Sequence, residues 1–207
     1  DERVKDIAKD ILQHFDARAE AFEGKAMIVC MSRRIAVKMY EEIVKLKPEW
    51  HSEDLSEGRI KTVMTSSSTD PLNWQLHHTT KEDRKGLAKR FKDPSDPLQI
   101  VIVRDMWLTG FDAPCVTTMY VDKPMKGHTL MQAIARVNRI FENPAMPKTS
   151  GFVIDYSENA KNILSAMELF GNYNENDVKS ALIDVQEKIN DLQQSYGDLH
   201  DIFNGIA

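Results

Sequence analysis

Five short apolar runs, rich in β-branched residues, recur along the chain: AMIVCM (26–31), RIKTVMTS (59–66), LQIVIVR (98–104), VTTMYVD (116–122) and GFVIDY (151–156). Their apolarity is continuous rather than alternating, the pattern of strands covered on both faces as in a parallel sheet. Helical periodicity fills the intervals. Ile35, Met39, Ile43 and Leu46 repeat at helical spacing behind Ser32 as N-cap, and Pro48 helps stop the segment. TKEDRKGLAKRF opens with Thr80 and Asp83 in a capping-box arrangement and closes before Asp93 and Pro94. TLMQAIARVNRIF predicts a helix over 129–141 that begins at Thr129 and ends before Asn143 and Pro144. Strand and helix in alternation predict a doubly wound α/β sheet.

The two ends differ from this middle. Val4, Ile7, Ile11 and Phe15 predict an amphipathic helix within 1–22 that leads into the sheet. From about Ser157 no further strand is predicted. Instead Val178, Leu182, Val185, Ile189, Leu192, Tyr196 and Leu199, spaced alternately by four and three, predict a long helix with a narrow apolar seam. Such a seam needs a partner surface. The stretch SSSTDPLNWQLHHTT (66–80) reads as a polar loop with a Trp-containing turn. The chain opens on DERVKDIAKD without Met and reads as a piece of something longer.

Composition narrows the function classes. At 207 residues, 42% hydrophobic and 29% charged, the chain is of an ordinary globular kind. It holds neither an apolar run long enough for a membrane span nor a signal peptide, so no membrane partner and a cytoplasmic setting are expected. Cys30 and Cys115 lie in or beside apolar runs and are expected to be buried, reduced thiols. The six histidines, His77 and His78 among them, show no metal-ligand spacing, and no metal site is expected. A net charge of -5 argues against holding nucleic acid by bulk electrostatics. Locally the sign reverses: Lys123 to Phe141 carries four basic residues and no acid.

That window contains QAIARVNR (132–139). At about 100° per residue, Gln132, Arg136 and Arg139 share one helix face, opposite Leu130, Ile134, Val137 and Phe141. Gln132 also stands three residues after Thr129, where it can cap its own helix. Neither arginine has an acid three or four residues before it, which leaves an uncompensated guanidinium pair one turn apart. Such a pair suits an anionic ligand such as a triphosphate.

Two more stretches carry candidate chemistry. In RDMWLTGFDAP (104–114), Gly110 allows a close backbone approach and Asp112 can accept from a ribose hydroxyl or a metal-bound water; the alternative is an ordinary strand-to-strand turn in which Gly110 supplies a positive φ and Asp112 bonds its own backbone. In MSRR (31–34), Ser32 and the arginines stand where a strand meets a helix N-terminus and could grip a phosphate, or simply cap the helix and meet solvent. There is no G-x-x-x-x-G-K-[ST] loop and no D-E-x-x box, so the chain by itself is not a complete P-loop ATPase. Nor is there a nucleophile elbow or an evident nuclease cluster of carboxylates and lysine.

In order and spacing the three motifs resemble the second RecA-like domain of superfamily 2 helicases and translocases. AMIVCMSR is similar to motif IV, IVIVRDMWLTGFDAP to motif V, and QAIARVNR to motif VI, usually Q-x-x-G-R-x-x-R. Over residues 24–156, and especially in MWLTGFDAP, YVDKPMKGHTLMQAIARVNR and GFVIDY, the chain resembles the motor (R) subunit of type I restriction-modification enzymes. Ala135 stands where the general motif has Gly, and Arg104 where many helicases have a Thr that touches nucleic acid.

The resemblance implies a fold, partners and roles. The fold is a RecA-like parallel sheet flanked by helices, with a C-terminal helical extension. Residues 1–22 would be a helix or linker from a preceding motor domain, 23–156 the second RecA-like domain, and 157–207 the start of a helical domain. Arg139 would be an arginine finger toward the γ-phosphate of ATP held with Mg2+ mainly by an absent first RecA-like domain. Arg136 would be a second phosphate contact or a coupling residue. Gln132, Gly110 and Asp112 would face the nucleotide, while Ser32, Arg33, Arg104 and Thr109 would lie nearer the DNA backbone. Implied partners are double-stranded DNA, the methyltransferase and specificity subunits of a prokaryotic restriction complex, and the nuclease domain of the same subunit. The fragment alone would be inactive. A different superfamily 2 helicase, or a non-catalytic interaction module, are the competing readings.

Overall fold

In the computed structural model, residues 2–19, 24–108, 110–125, 127–143, 147–157 and 159 are described. They belong to one compact unit, Asp1–Asn159. The seam at 178–199 and the rest of the 157–207 segment beyond Asn159 lie outside the described residues.

All five expected strands form: β1 (Lys25–Cys30), β2 (Ile60–Val63), β3 (Ile100–Val103), β4 (Val116–Asp122) and β5 (Phe152–Asp155). They make one sheet in the order β2-β3-β1-β4-β5, with every neighbouring pair parallel. The central strand β1 pairs Ala26 with Ile100 on one side and with Thr118 on the other. Nearly every residue of β1 to β4 is buried, as continuous apolar runs require.

Among the described residues four α-helices cover the sheet: α1 (Glu2–Ala19), α2 (Arg33–Leu46), α3 (Lys81–Lys92) and α4 (Gly127–Val137). Because parallel crossovers are right-handed, the connection through α2 and those through α3 and α4, which run the opposite way across the sheet, fall on opposite faces. On the first face Ala26, Ile28, Ile100, Ile102 and Tyr120 pack with the apolar stripes of α1 and α2 in one cluster. The stripe predicted for the N-terminal helix (Val4, Ile7, Ile11, Phe15) is all in this core. Polar ties reinforce it: Arg3 pairs with the buried Asp122 at 2.5 Å, and His14 Nδ1 lies 2.8 Å from the Tyr120 hydroxyl. On the other face Leu87 and Phe91 of α3 and Leu130, Ala133 and Val137 of α4 are buried.

The local signals account for most boundaries. The Ser32 hydroxyl accepts from the Ile35 amide at 3.2 Å, and Thr80 and Asp83 complete their reciprocal capping box. The 66–80 stretch contains a short 3-10 helix, Leu72–His77, around Trp74. Cys30 and Cys115 are buried free thiols. One boundary differs. The fourth helix spans Gly127–Val137 rather than 129–141, so Thr129 lies inside it and is not its N-cap. At its other end the Asn138 amide still bonds Ile134, whereas Arg139 reaches only Arg136 at 3.4 Å, and the chain leaves the helix.

Candidate functional site

The described residues of the connection from β3 to β4 form no helix, although it joins two parallel strands across β1. It starts at the carboxyl edge of the sheet. There Arg104 pairs with Asp105 at 2.6 Å, and Lys123, just past β4, bonds the Arg104 carbonyl at 3.2 Å and pairs with Asp105. It ends at the amino end of β4, where the buried Lys148 ammonium donates to the carbonyls of Pro114 at 2.9 Å and Val116 at 2.7 Å. The connection therefore runs the length of the sheet, and its two ends face different edges.

Between these ends the chain is held by aromatic stacking. Trp107 adopts φ 65°, the left-handed region, and its ring lies flat on Phe111 at 4.3 Å and 10°. Phe91 of α3 stacks on the same pair, 6.1 Å from Trp107 and 6.4 Å from Phe111. The Lys92 ammonium sits 4.9 Å from the Phe111 ring centroid. Gly110 follows at φ 68°, a conformation glycine adopts without cost.

Helix α4 runs beside this connection. Its apolar stripe turns inward, and Gly151, just before β5, comes so close that an added Cβ would lie 2.0 Å from the Val137 carbonyl oxygen. That close approach seats the end of α4 against the sheet. Gln132, Ala135, Arg136 and Arg139 are left facing Gly110, Phe111 and Asp112 across a cleft of about 480 Å³. All five residues predicted to face a nucleotide, Gly110, Asp112, Gln132, Arg136 and Arg139, line this one cleft.

Both arginines have partners outside the helix, which the helix alone does not show, and for Arg139 the partner is a counter-charge. Arg136 donates to the Trp107 backbone carbonyl, and Arg139 pairs with the Asp112 carboxylate. Their partners lie 29 and 27 residues upstream respectively, which is why spacing within the helix did not reveal them. The pairings differ in setting: Arg139 and Asp112 are more than half exposed, whereas Arg136 is partly buried and burial lowers its pKa, Asp112 opposing the shift. The chemical set is two guanidiniums, one carboxylate and a glycine backbone, which suits phosphate oxygens and hydroxyls. No cluster of three metal-ligating side chains occurs among the described residues.

The residues predicted to face DNA are not gathered in the cleft. Ser32 is occupied as an N-cap. Arg33 is committed to the 66–80 segment, donating to the Thr65 carbonyl at 2.9 Å and to Asp70 at 2.7 Å, where His78 Nε2 also lies 3.0 Å away. Arg104 is half exposed at the carboxyl edge. Thr109 lies outside the described residues. The Trp107–Phe111–Phe91 stack was not anticipated; two aromatic residues four apart in a connection predicted as a turn were its only trace in the sequence.

Five parallel strands in this order, with helices on both faces, make the unit a RecA-like α/β domain of helicase-like fold. Residues 61–158 match the family described as type I restriction enzyme subunit R domain 3. Over 171 residues the chain is 53% identical to the type I restriction enzyme HindI endonuclease subunit of Haemophilus influenzae, covering 83% of this chain and 16% of that protein. Over 201 residues it is 39% identical to the type I restriction enzyme MjaIXP endonuclease subunit of Methanocaldococcus jannaschii, covering 97% of this chain and 18% of that one. A solved fragment of an HsdR subunit of a type I restriction enzyme from Vibrio vulnificus YJ016 shares the fold at a TM-score of 0.56 and 20% identity, over 77% of this chain and 28% of that chain. The chain belongs to the R subunits of type I restriction enzymes, and it spans between 16% and 21% of the length of the curated relatives it matches.

Proposed function

We propose that this chain is the second RecA-like motor domain of an R subunit, supplying one side of an ATP site whose other side lies on a first RecA-like domain. The observation that carries the reading is the cleft in which Gly110, Asp112, Gln132, Arg136 and Arg139 converge. Arg139 is the transition-state residue: its guanidinium is exposed, its side-chain partner among the described residues is an exposed carboxylate, and it can transfer to the terminal phosphate oxygens of a nucleotide held opposite. Asp112 is then released to accept from a ribose hydroxyl, and Gly110 lets the backbone approach the phosphates. Arg136 fixes the geometry of the loop. Magnesium accompanies the nucleotide and is held mainly by the other domain, because the cleft here offers cations and a single carboxylate.

Hydrolysis in the complete subunit would drive movement along double-stranded DNA, gripped at the carboxyl edge near Arg104 and the residues around Ser32. Cleavage would be made by a nuclease domain of the same subunit, and the recognition sequence read by specificity and methyltransferase subunits. The domain alone would hydrolyse no ATP.

The test is Arg139→Ala in the complete subunit assembled with its partners. DNA-stimulated ATPase is expected to fall by on the order of 10³-fold or more while assembly is unchanged. Turnover within a few-fold of the parent would overturn the reading. Triplex displacement without strand separation would mark a duplex translocase; unwinding would mark a helicase.

A further inference from the structure

Trp107 is the one non-glycine residue with positive φ among the described residues, and it is the least suited by size to that conformation. For an L-residue the left-handed region is disfavoured, because Cβ crowds the following carbonyl oxygen. Such a conformation persists only where the surroundings over-determine it. Here three contacts do so. The indole ring is stacked on Phe111 and Phe91. The backbone carbonyl accepts from Arg136 of α4. Leu108, next in the chain, is buried at 3% exposure, so the backbone cannot turn outward to relax.

The geometry points downstream. Phe111, whose ring the indole holds, stands between Gly110 and Asp112, the two residues of the loop that face the cleft along with it. Fixing Phe111 therefore fixes the height of the Gly110 backbone and the reach of the Asp112 carboxylate. Turning the Trp107 carbonyl toward α4 occupies the partly buried Arg136 on the protein and leaves the exposed Arg139 as the arginine able to exchange its partner. We infer that Trp107 is a positioning residue for the nucleotide site: its left-handed backbone and stacked ring set the loop from Gly110 to Asp112 and divide the two arginines into one fixed and one exchangeable. This rests on the reading that the cleft is half of an ATP site, and it assigns to Trp107 a role beyond that of filling space.

The experiment compares Trp107→Ala, Trp107→Phe and Arg139→Ala in the complete R subunit assembled with its partner subunits. Steady-state ATPase is measured against ATP concentration with saturating DNA. Misplacement of positioned groups lowers turnover more than binding, so Trp107→Ala is expected to reduce kcat by on the order of 10- to 100-fold with KM changed less than about threefold. Trp107→Phe, which keeps a stacking face, is expected to recover most of kcat. Phe111→Leu keeps apolar bulk and removes the stack; it carries the same expectation as Trp107→Ala if the alanine variant does not assemble. Unchanged kcat in the assembled Trp107→Ala or Phe111→Leu enzyme, or no recovery by Trp107→Phe, overturns the inference. Arg139→Ala separates the two levels. Normal turnover there removes the ATP-site reading itself, whereas its loss beside unaffected Trp107 variants removes only the positioning role.

Discussion

Arg139, two residues past the end of α4, pairs with Asp112 in the connection before β4, and the two side chains are 58% and 56% exposed. An ion pair so exposed contributes about 0–1 kcal/mol, since water and salt screen both partners. Asp112→Asn is therefore expected to change the unfolding free energy of the domain by less than about 1 kcal/mol in urea titration, and less still at high salt. A larger loss would mean the pair is structural rather than exchangeable.

Arg136 is the opposite case. It is partly buried and donates to a backbone carbonyl that has turned toward it, so truncation leaves the Trp107 oxygen without that donor. Arg136→Ala is expected to cost about 1–3 kcal/mol, clearly more than Asp112→Asn, in the same titration.

Two glycines separate backbone conformation from packing. At Gly110 there is open space but φ is 68°, so Gly110→Ala meets only the backbone penalty, about 1 kcal/mol. At Gly151 the added methyl would lie 2.0 Å from the Val137 carbonyl oxygen, and the backbone of α4 or β5 must move. Gly151→Ala is expected to cost more, about 1–3 kcal/mol, and to lower the melting temperature further than Gly110→Ala.

His77 gives a pH test. It is 5% exposed, with its ring 4.6 Å from that of Tyr40, and burial, aided by His51, Lys61 and His78, lowers its pKa to about 4. The unfolded chain takes up the proton near pH 6.5, before the folded one, so the stability held above pH 6.5 is lost as pH falls toward about 4. Denaturation midpoints measured from pH 7 to 4 should fall more steeply for the parent than for His77→Phe. Parallel curves would remove His77 as the cause.

Lys148 titrates at the other end of the scale. Its ammonium is buried against two carbonyls, and burial lowers its pKa to about 8. Between pH 8 and about 10 the unfolded chain keeps a proton that the folded chain has released, so folding becomes more favourable as pH rises through that window. The stability difference between the parent and Lys148→Met should accordingly shift toward the parent over this range.

The sheet was legible in the sequence because continuous β-branched runs have few other uses, and α2 and α3 because Ser32 and Thr80 cap locally. The start of α4 was misread for a related reason. Thr129 and Gln132 satisfy a capping pattern, yet the helix already begins at Gly127, and a local pattern cannot outweigh where the chain leaves β4. Membership of the cleft was legible for Gly110, Asp112, Gln132, Arg136 and Arg139 only through the resemblance to motifs V and VI, which implies a shared face. What the arginines hold was not legible. Their partners are a backbone carbonyl and a carboxylate in another element, and the carbonyl is available only because a tryptophan adopts a left-handed turn that its residue type does not announce. Ser32 and Arg33 show the converse: the resemblance implied a place near DNA, and in the structure both hold their own neighbourhood.

The central place of β1 has a consequence for how the domain is made. Both of its neighbours arrive late in the chain: Ala26 waits for Ile100 on one flank and Thr118 on the other. No hairpin or adjacent pair of strands can seed the middle of this sheet, so its closure must overcome the loop entropy of long intervening segments. Refolding should accordingly be slow for a domain of its size. During that interval the uncovered edges of β1 are open to strands of other chains, and the yield of native protein should fall as concentration rises.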